Sequence, residues 1–220
     1  MPANVPNGSA LRRLLLLLCI LCLTGCTALT AEPPHAVPIS GRWLLDPAQS
    51  DDFDLKVTQW MNAQQLKRQK ALKSRGGGGP LPSDSDQGGL GYYGLLPAEA
   101  PDRIRARFNE TLRPATMLHI EQTDSDVDID ADGEPARSYT PLLRVSRIDT
   151  SGAAKIDAGW KKSGFEVQVQ YSGGEQHIYR YEIDAATGQL LVTLLVRDEI
   201  VSKWQVRSRY RRQSEPPAGH

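Results

Sequence analysis

Gly164-Phe165-Glu166-Val167-Gln168-Val169-Gln170-Tyr171 alternates apolar and polar side chains without a break. Successive side chains of a β-strand point to opposite faces, so Phe165, Val167, Val169 and Tyr171 share one face. Glu166, Gln168 and Gln170 take the other, the signature of a strand with one face in a core and one in water. The same period of two holds from Met117 onward, punctuated by turn glycines at Gly133, Gly152, Gly164, Gly174 and Gly188. Leu190 to Val196 is apolar on both faces and belongs at the centre of a sheet or against a helix. In the last strand Trp204, Val206, Ser208 and Tyr210 share a face, opposite Lys203, Gln205, Arg207, Arg209 and Arg211. That basic row suits a solvated face protected against edge pairing, with contact to a membrane or lipopolysaccharide as the sharper alternative. The pattern predicts a mainly β fold: an antiparallel up-and-down meander of about eight strands over 116–212, curved or closed into a barrel.

Upstream, Gly41-Arg42-Trp43-Leu44-Leu45 reads as a first strand, and Ser50-Asp51-Asp52 as a helix start with acidic residues at the positive end of the dipole. A helix is expected over 53–74. Phe53, Val57, Trp60, Met61 and Gln64 share one of its faces, and Lys67, Arg68, Lys70, Lys73 and Arg75 make its end basic. Those cations complement the C-terminal dipole or, alternatively, meet anionic head groups. Residues 76–96 carry glycines, prolines and a Ser/Asp run and predict a flexible insertion. Within it, Gly89-Leu90-Gly91-Tyr92-Tyr93-Gly94 matches G-x-G-x-x-G but lacks a preceding strand and a following helix, so it does not read as a dinucleotide loop. A second helix is expected over 102–112 through Ile104, Phe108 and Leu112, ended by Pro114. Both helices are inserted after the first strand of one domain spanning 39–213, with a disordered tail over 214–220. Trp43 and Trp204, from the two ends of the domain, are expected to be buried near one another beside Tyr210.

At the start of the chain, Arg12 and Arg13 precede a leucine-rich run from Leu14 to Leu23, and Leu23-Thr24-Gly25-Cys26 follows. The run is too short to span a hydrocarbon core, which takes roughly 20 apolar residues, and it has the parts of an export signal over 1–25. The tetrapeptide resembles the lipobox of bacterial lipoproteins. That resemblance implies cleavage before Cys26, a diacylglyceryl group on its sulfur and acylation of the new amino terminus. Two or more acyl chains give stable anchoring where one is marginal. Thr27, in the position where aspartate favours inner-membrane retention in enteric lipoproteins, points to the periplasmic face of the outer membrane. Residues 26–38, with Pro33, Pro34 and Pro38, read as an extended tether. Cys19, Cys22 and Cys26 all fall in or at the end of the signal, so the mature domain has no thiol for disulfide, redox or metal chemistry.

The chain has 26 basic and 26 acidic residues, and loss of Arg12 and Arg13 leaves a net charge of −2. No bulk attraction to nucleic acid follows. Asp124, Asp126, Asp128, Asp130 and Asp132 precede Gly133, and the stretch from Asp128 begins like a calcium loop. Its twelfth position is Tyr139 instead of a bidentate glutamate, and strands flank it. Asp128, Asp130 and Asp132 are thus weak metal candidates beside a plainer hairpin reading, in which Val127 and Ile129 point inward and Asp132-Gly133 turns. His119 and His177, set among apolar residues, read as structural; His35 lies in the tether and His220 is the last residue. Neither G-x-S-x-G nor H-E-x-x-H occurs, and no cofactor is implied.

Gly41-x-Trp43 opening the first strand resembles the G-x-W of lipocalins and fatty-acid-binding proteins, and a helical pair between the first two strands is similar to the latter, as are Ser50, Phe53 and Asp54. Fatty-acid-binding proteins hold a carboxylate with an inward Arg-x-Tyr pair on the last strand; here Ser208 stands beside Tyr210. G-x-W-x-L-D with S-D-D also resembles uncharacterised exported bacterial proteins. The reading that follows is a non-catalytic, lipid-anchored envelope protein that binds a lipid or other apolar small molecule between sheet and helices. A structural or assembly lipoprotein contacting envelope proteins is the alternative, and a hydrolase without a recognisable motif is third.

Overall fold

The computed structural model describes residues 28–33, 38–74, 101–149, 152–197 and 203–213. The export signal, Cys26, the insertion over 76–96 and the tail over 214–220 lie outside them. The chain runs β1 (Gly41–Leu45), α1 (Phe53–Ser74), α2 (Pro101–Thr111), β2 (Met117–Gln122), β3 (Val127–Ala131), β4 (Arg137–Tyr139), β5 (Val145–Asp149), β6 (Gly152–Lys161), β7 (Gly164–Tyr171), β8 (Gln176–Ile183), β9 (Leu190–Arg197) and β10 (Trp204–Arg212). Both helices fall between β1 and β2.

The described residues form ten strands, not about eight. Arg137-Ser138-Tyr139 is too short and polar to announce β4, and in Val145-Ser146-Arg147-Ile148-Asp149 the face of Val145 also carries Arg147 and Asp149, so neither face of β5 reads as apolar throughout. All pairings are antiparallel, in the order β4-β3-β2-β1-β10-β9-β8-β7-β6-β5. The first and last strands are therefore central neighbours, with Trp43 opposite Arg212 and Leu45 opposite Tyr210. The free edges belong to β4 and β5.

Curling brings those edges toward each other and makes a half-barrel. Its inner face gathers Trp43, Leu118, Ile120, Val127, Phe165, Val167, Leu190 and Tyr210 into one core. Tyr139 of β4 meets Phe165 of β7 across the interior at 6.3 Å between ring centroids. Close strand approach depends on Gly164, where an added Cβ would lie 2.1 Å from the Tyr181 carbonyl oxygen. The predicted alternation of β7 holds on the inner face. On the outer face Glu166 departs from it, being buried and held by Lys161 and Arg180.

A second core lies at one end of the same inner face. Leu194, Val196, Trp204 and Val206 of β9 and β10 receive Phe53, Val57, Trp60 and Met61 of α1, with Phe108 and Leu112 at the end of α2. Asp52 caps α1, its carboxylate accepting from the Leu55 N–H at 2.9 Å. The side chain of Ile104 lies outside the description. Trp204 stacks edge-on against Phe53 and Phe108, at 6.0 and 5.2 Å, and donates to the Lys56 carbonyl. Trp43 instead donates to the Ile39 carbonyl in the first core, beneath the Arg212 guanidinium. The two indoles are thus both buried but not neighbours. Trp43 pairs with Arg212, eight residues from Trp204 along β10, roughly 27 Å at about 3.4 Å per residue.

Candidate functional site

The space between sheet and helices, expected to hold a ligand, is filled by the aromatic cluster around Trp60, Phe108 and Trp204. Concave space lies instead where the half-barrel fails to close. A cleft of about 350 Å³ runs between β4 and β5, walled by Arg137, Tyr139, Leu143, Val145, Arg147 and Ile156, with Glu134 to Ala136 at one end. This is at the low end of small-molecule cavities, about 300–1,000 Å³.

Local sequence explains how the cleft is framed. Asp132 and Gly133 both take positive φ, 55° and 78°, and turn β3 into β4. The Asp132 carboxylate accepts from the Thr116 hydroxyl and the Met117 N–H, fixing that turn against the start of β2. At the other end the loop from β4 to β5 is pinned twice. Thr140 donates to Asp126 of the β2–β3 turn, and Arg144 makes a two-pronged bond with Asp157 of β6 at 2.8 and 2.9 Å. Each side of the cleft is thereby held while β4 and β5 remain unpaired with one another.

The chemistry of the walls is divided. Leu143, Val145, Ile156 and Ala158 supply apolar surface, whereas Arg137 and Arg147 supply two positive charges. Neither arginine has a carboxylate within ion-pair distance among the described residues. Behind the cleft Tyr139, Tyr179 and Tyr181 enter the interior, and burial raises the pKa of each. The field of Arg137 opposes that rise at all three, so its guanidinium is within electrostatic reach of the interior tyrosines. Burial likewise raises Tyr210, whose hydroxyl donates to the Ala115 carbonyl at 2.9 Å. Ser208 is buried on the same strand, so an inward Arg-x-Tyr pair is absent from β10.

Asp128 and Asp130 lie on β3 with Val127 and Ile129 buried between them, as in the hairpin reading. Asp132 is occupied by its turn. Among the described residues no three His, Cys, Asp or Glu side chains converge to hold a metal ion, although Asp130 keeps one buried carboxylate oxygen without a hydrogen-bond partner. His119 faces Glu121 at 3.4 Å. His177 is buried against the equally buried Glu175 and stacks edge-on with Tyr171. Arg137, Tyr139 and Arg147, which frame the cleft, were not singled out by sequence. Their signal is an Arg two residues before a Tyr in a stretch too polar to read as a strand.

No protein-family model matches the chain, and no curated protein sequence matches it. Solved structures resemble it distantly. A REP1-NXSQ fatty acid transporter is 13% identical, covering 81% of this chain and 98% of its own, with a TM-score of 0.42. A secretary abundant heat soluble protein from Ramazzottius varieornatus is 10% identical over 82% of this chain and 99% of its own, TM-score 0.45. Lipid binding protein 8 of Caenorhabditis elegans is 9% identical over 79% and 94%, TM-score 0.41. The likeness is one of barrel-like fold; at this identity it does not carry function.

Proposed function

We propose that this chain is an envelope lipoprotein, anchored through Cys26 at the periplasmic face of the outer membrane, whose domain holds an anionic apolar molecule in the cleft between β4 and β5. The observation that carries the reading is the pairing of apolar walls with two arginines that have no acidic partner among the described residues. A hydrocarbon tail would take the surface of Leu143, Val145 and Ile156. A carboxylate or phosphate head would meet Arg137 and Arg147, whose planar guanidinium groups match such oxyanions. In this reading the domain holds its ligand and does not transform it.

Native mass spectrometry of the protein purified from membranes should show a co-purifying lipid mass. Replacing both Arg137 and Arg147 with alanine should weaken displacement of a fluorescent fatty acid about tenfold or more, since a hydrogen bond to a charged group contributes about 1.5–3 kcal/mol. Absence of any bound mass, with no fatty-acid binding by the parent chain, would favour the structural or assembly role. The anchor has its own test. Cys26→Ala should abolish incorporation of a fatty-acid analogue and leave an unprocessed or mislocalised precursor, and persistent label on that variant would remove the lipoprotein assignment.

A further inference from the structure

Thr30 lies only four residues beyond Cys26, and it is docked. Its N–H donates to the Trp160 carbonyl at 2.8 Å, and the Trp160 N–H donates back to the Thr30 carbonyl at 2.9 Å, an antiparallel bridge on the edge of β6. Gly159 permits the approach, because a Cβ there would sit 2.9 Å from the Leu29 side chain and 3.1 Å from the Thr30 carbonyl oxygen. Two residues along that edge the Ala158 carbonyl accepts from the Leu142 N–H at 2.8 Å. The start of the domain and the loop closing the cleft therefore share one edge, about 7 Å apart at strand spacing. Four residues of chain reach at most about 14 Å, so a lipid on Cys26 would hold the bilayer close to this edge and not at the end of a long tether.

The surface there fits such a neighbour. Of the six large apolar side chains exposed among the described residues, four fall in one short segment: Leu142, Leu143, Val145 and Ile148. Leu142 is presented at a positive φ of 66°, a backbone setting that costs a leucine about 1 kcal/mol or more. The pins from Thr140 to Asp126 and from Arg144 to Asp157 hold it in that setting. Arg137 and Arg147, beside and within the segment and without acidic partners among the described residues, complement anionic head groups. We infer that the β4–β5 loop and the cleft beside it lie against the phospholipid bilayer, with Leu142 and Leu143 entering the boundary between head groups and acyl chains, so that the cleft opens onto membrane lipid. This placement rests on the anchor at Cys26 proposed above. It also rejects the basic row of β10, five strands from β5 in the sheet, as the membrane-facing surface.

The test uses the mature lipoprotein, whose only native cysteine is acylated, reconstituted in phosphatidylethanolamine–phosphatidylglycerol vesicles with brominated acyl chains. A fluorophore is attached at Leu142→Cys, independently at Leu143→Cys, and at Arg207→Cys on the basic row. Labels at 142 and 143 should lose roughly half their emission, as expected for groups about 5–10 Å into the interface, while the label at 207 should be unaffected. Quenching at 207 alone, equal quenching at all three, or none would overturn the inference. Intact-mass measurement separates the two readings. Acylated chains without quenching at 142 or 143 leave the anchor standing and sink the placement. Unmodified chains sink the anchor, and quenching of their 142 and 143 labels by added vesicles would still support the surface, whereas none would remove both.

Discussion

β1 and β10 meet as full partners at the middle of the sheet, whereas β4 and β5, which curling brings toward each other, do not pair. At the first meeting Trp43 and Tyr210 are buried, and the ladder runs through Trp43, Leu44 and Leu45. At the second, β4 offers only three residues, and Arg137 and Arg147 both face the gap. Like charges set across from each other oppose pairing, and the polar Arg137-Ser138-Tyr139 brings little apolar burial to offset that cost, whereas the equally short β1–β10 ladder rests on the buried Trp43 and Tyr210. Barrel closure is thus decided by what the meeting strands carry: buried aromatic and aliphatic side chains at the first meeting, and two arginines on short polar strands at the second. The side that zips supplies stability, and the side that stays open supplies a surface for binding.

The largest expected effect separates these two roles. Trp43→Ala removes a fully buried indole from the main core and should cost about 3–5 kcal/mol in a denaturant melt. Trp204→Ala should cost a similar amount through the helix-capped core. Because the two belong to different clusters, the double variant should be additive within about 0.5 kcal/mol. Clear coupling between them would mean that the two cores are one, and would blur the contrast between the closed wall and the rest.

How much of this was legible in advance differs by region for a physical reason. Long strands write their burial into sequence: Phe165, Val167, Trp204, Val206 and Tyr210 fall inside by period alone, and so do Phe53, Val57, Trp60 and Met61 on α1. The cleft was not legible because it is made by failure to pair, which leaves no periodic trace in Arg137-Ser138-Tyr139. The separation of Trp43 from Trp204 was equally hidden, since it depends on the register of β1 on β10. Period two says which face a side chain takes but not how far along the partner strand it sits. Glu166 shows the other limit. Period put it in water, yet it is buried beside Lys161 at 2.9 Å and Arg180 at 2.5 Å, cations contributed by β6 and β8.

An intermediate effect follows from that carboxylate. Burial alone would raise its pKa, but hydrogen bonds from Lys161, Arg180 and Gln168 outweigh burial and lower it below the usual glutamate value. A lowered folded-state pKa gives stabilisation that is present above the unfolded value of about 4.3 and is lost as pH falls through the folded one. Glu166→Gln should therefore destabilise by about 1–3 kcal/mol at neutral pH, with the deficit shrinking on acidification below about pH 4. Melts of both proteins from pH 7 to pH 3 would show the curves converging. A constant gap would mean that shape and not charge is what the wall needs at this position.

The smallest stability effect should come from the open side, and its smallness is the sharpest part of the comparison. Leu143 and Val145 are 55% and 46% exposed, so little apolar area leaves water when they fold. Leu143→Ser and Val145→Thr should each change stability by no more than about 0.5 kcal/mol, the range of substitutions away from packed positions. The same two changes strip apolar surface from the cleft and should weaken fatty-acid displacement severalfold. Stability and binding would then respond to different residues, the wall governing one and the seam the other. If either substitution instead costs 2 kcal/mol or more, about what a buried aliphatic side chain contributes, the seam is a packed part of the core. The cleft would then be an irregularity of packing, and the binding role would lose its structural basis.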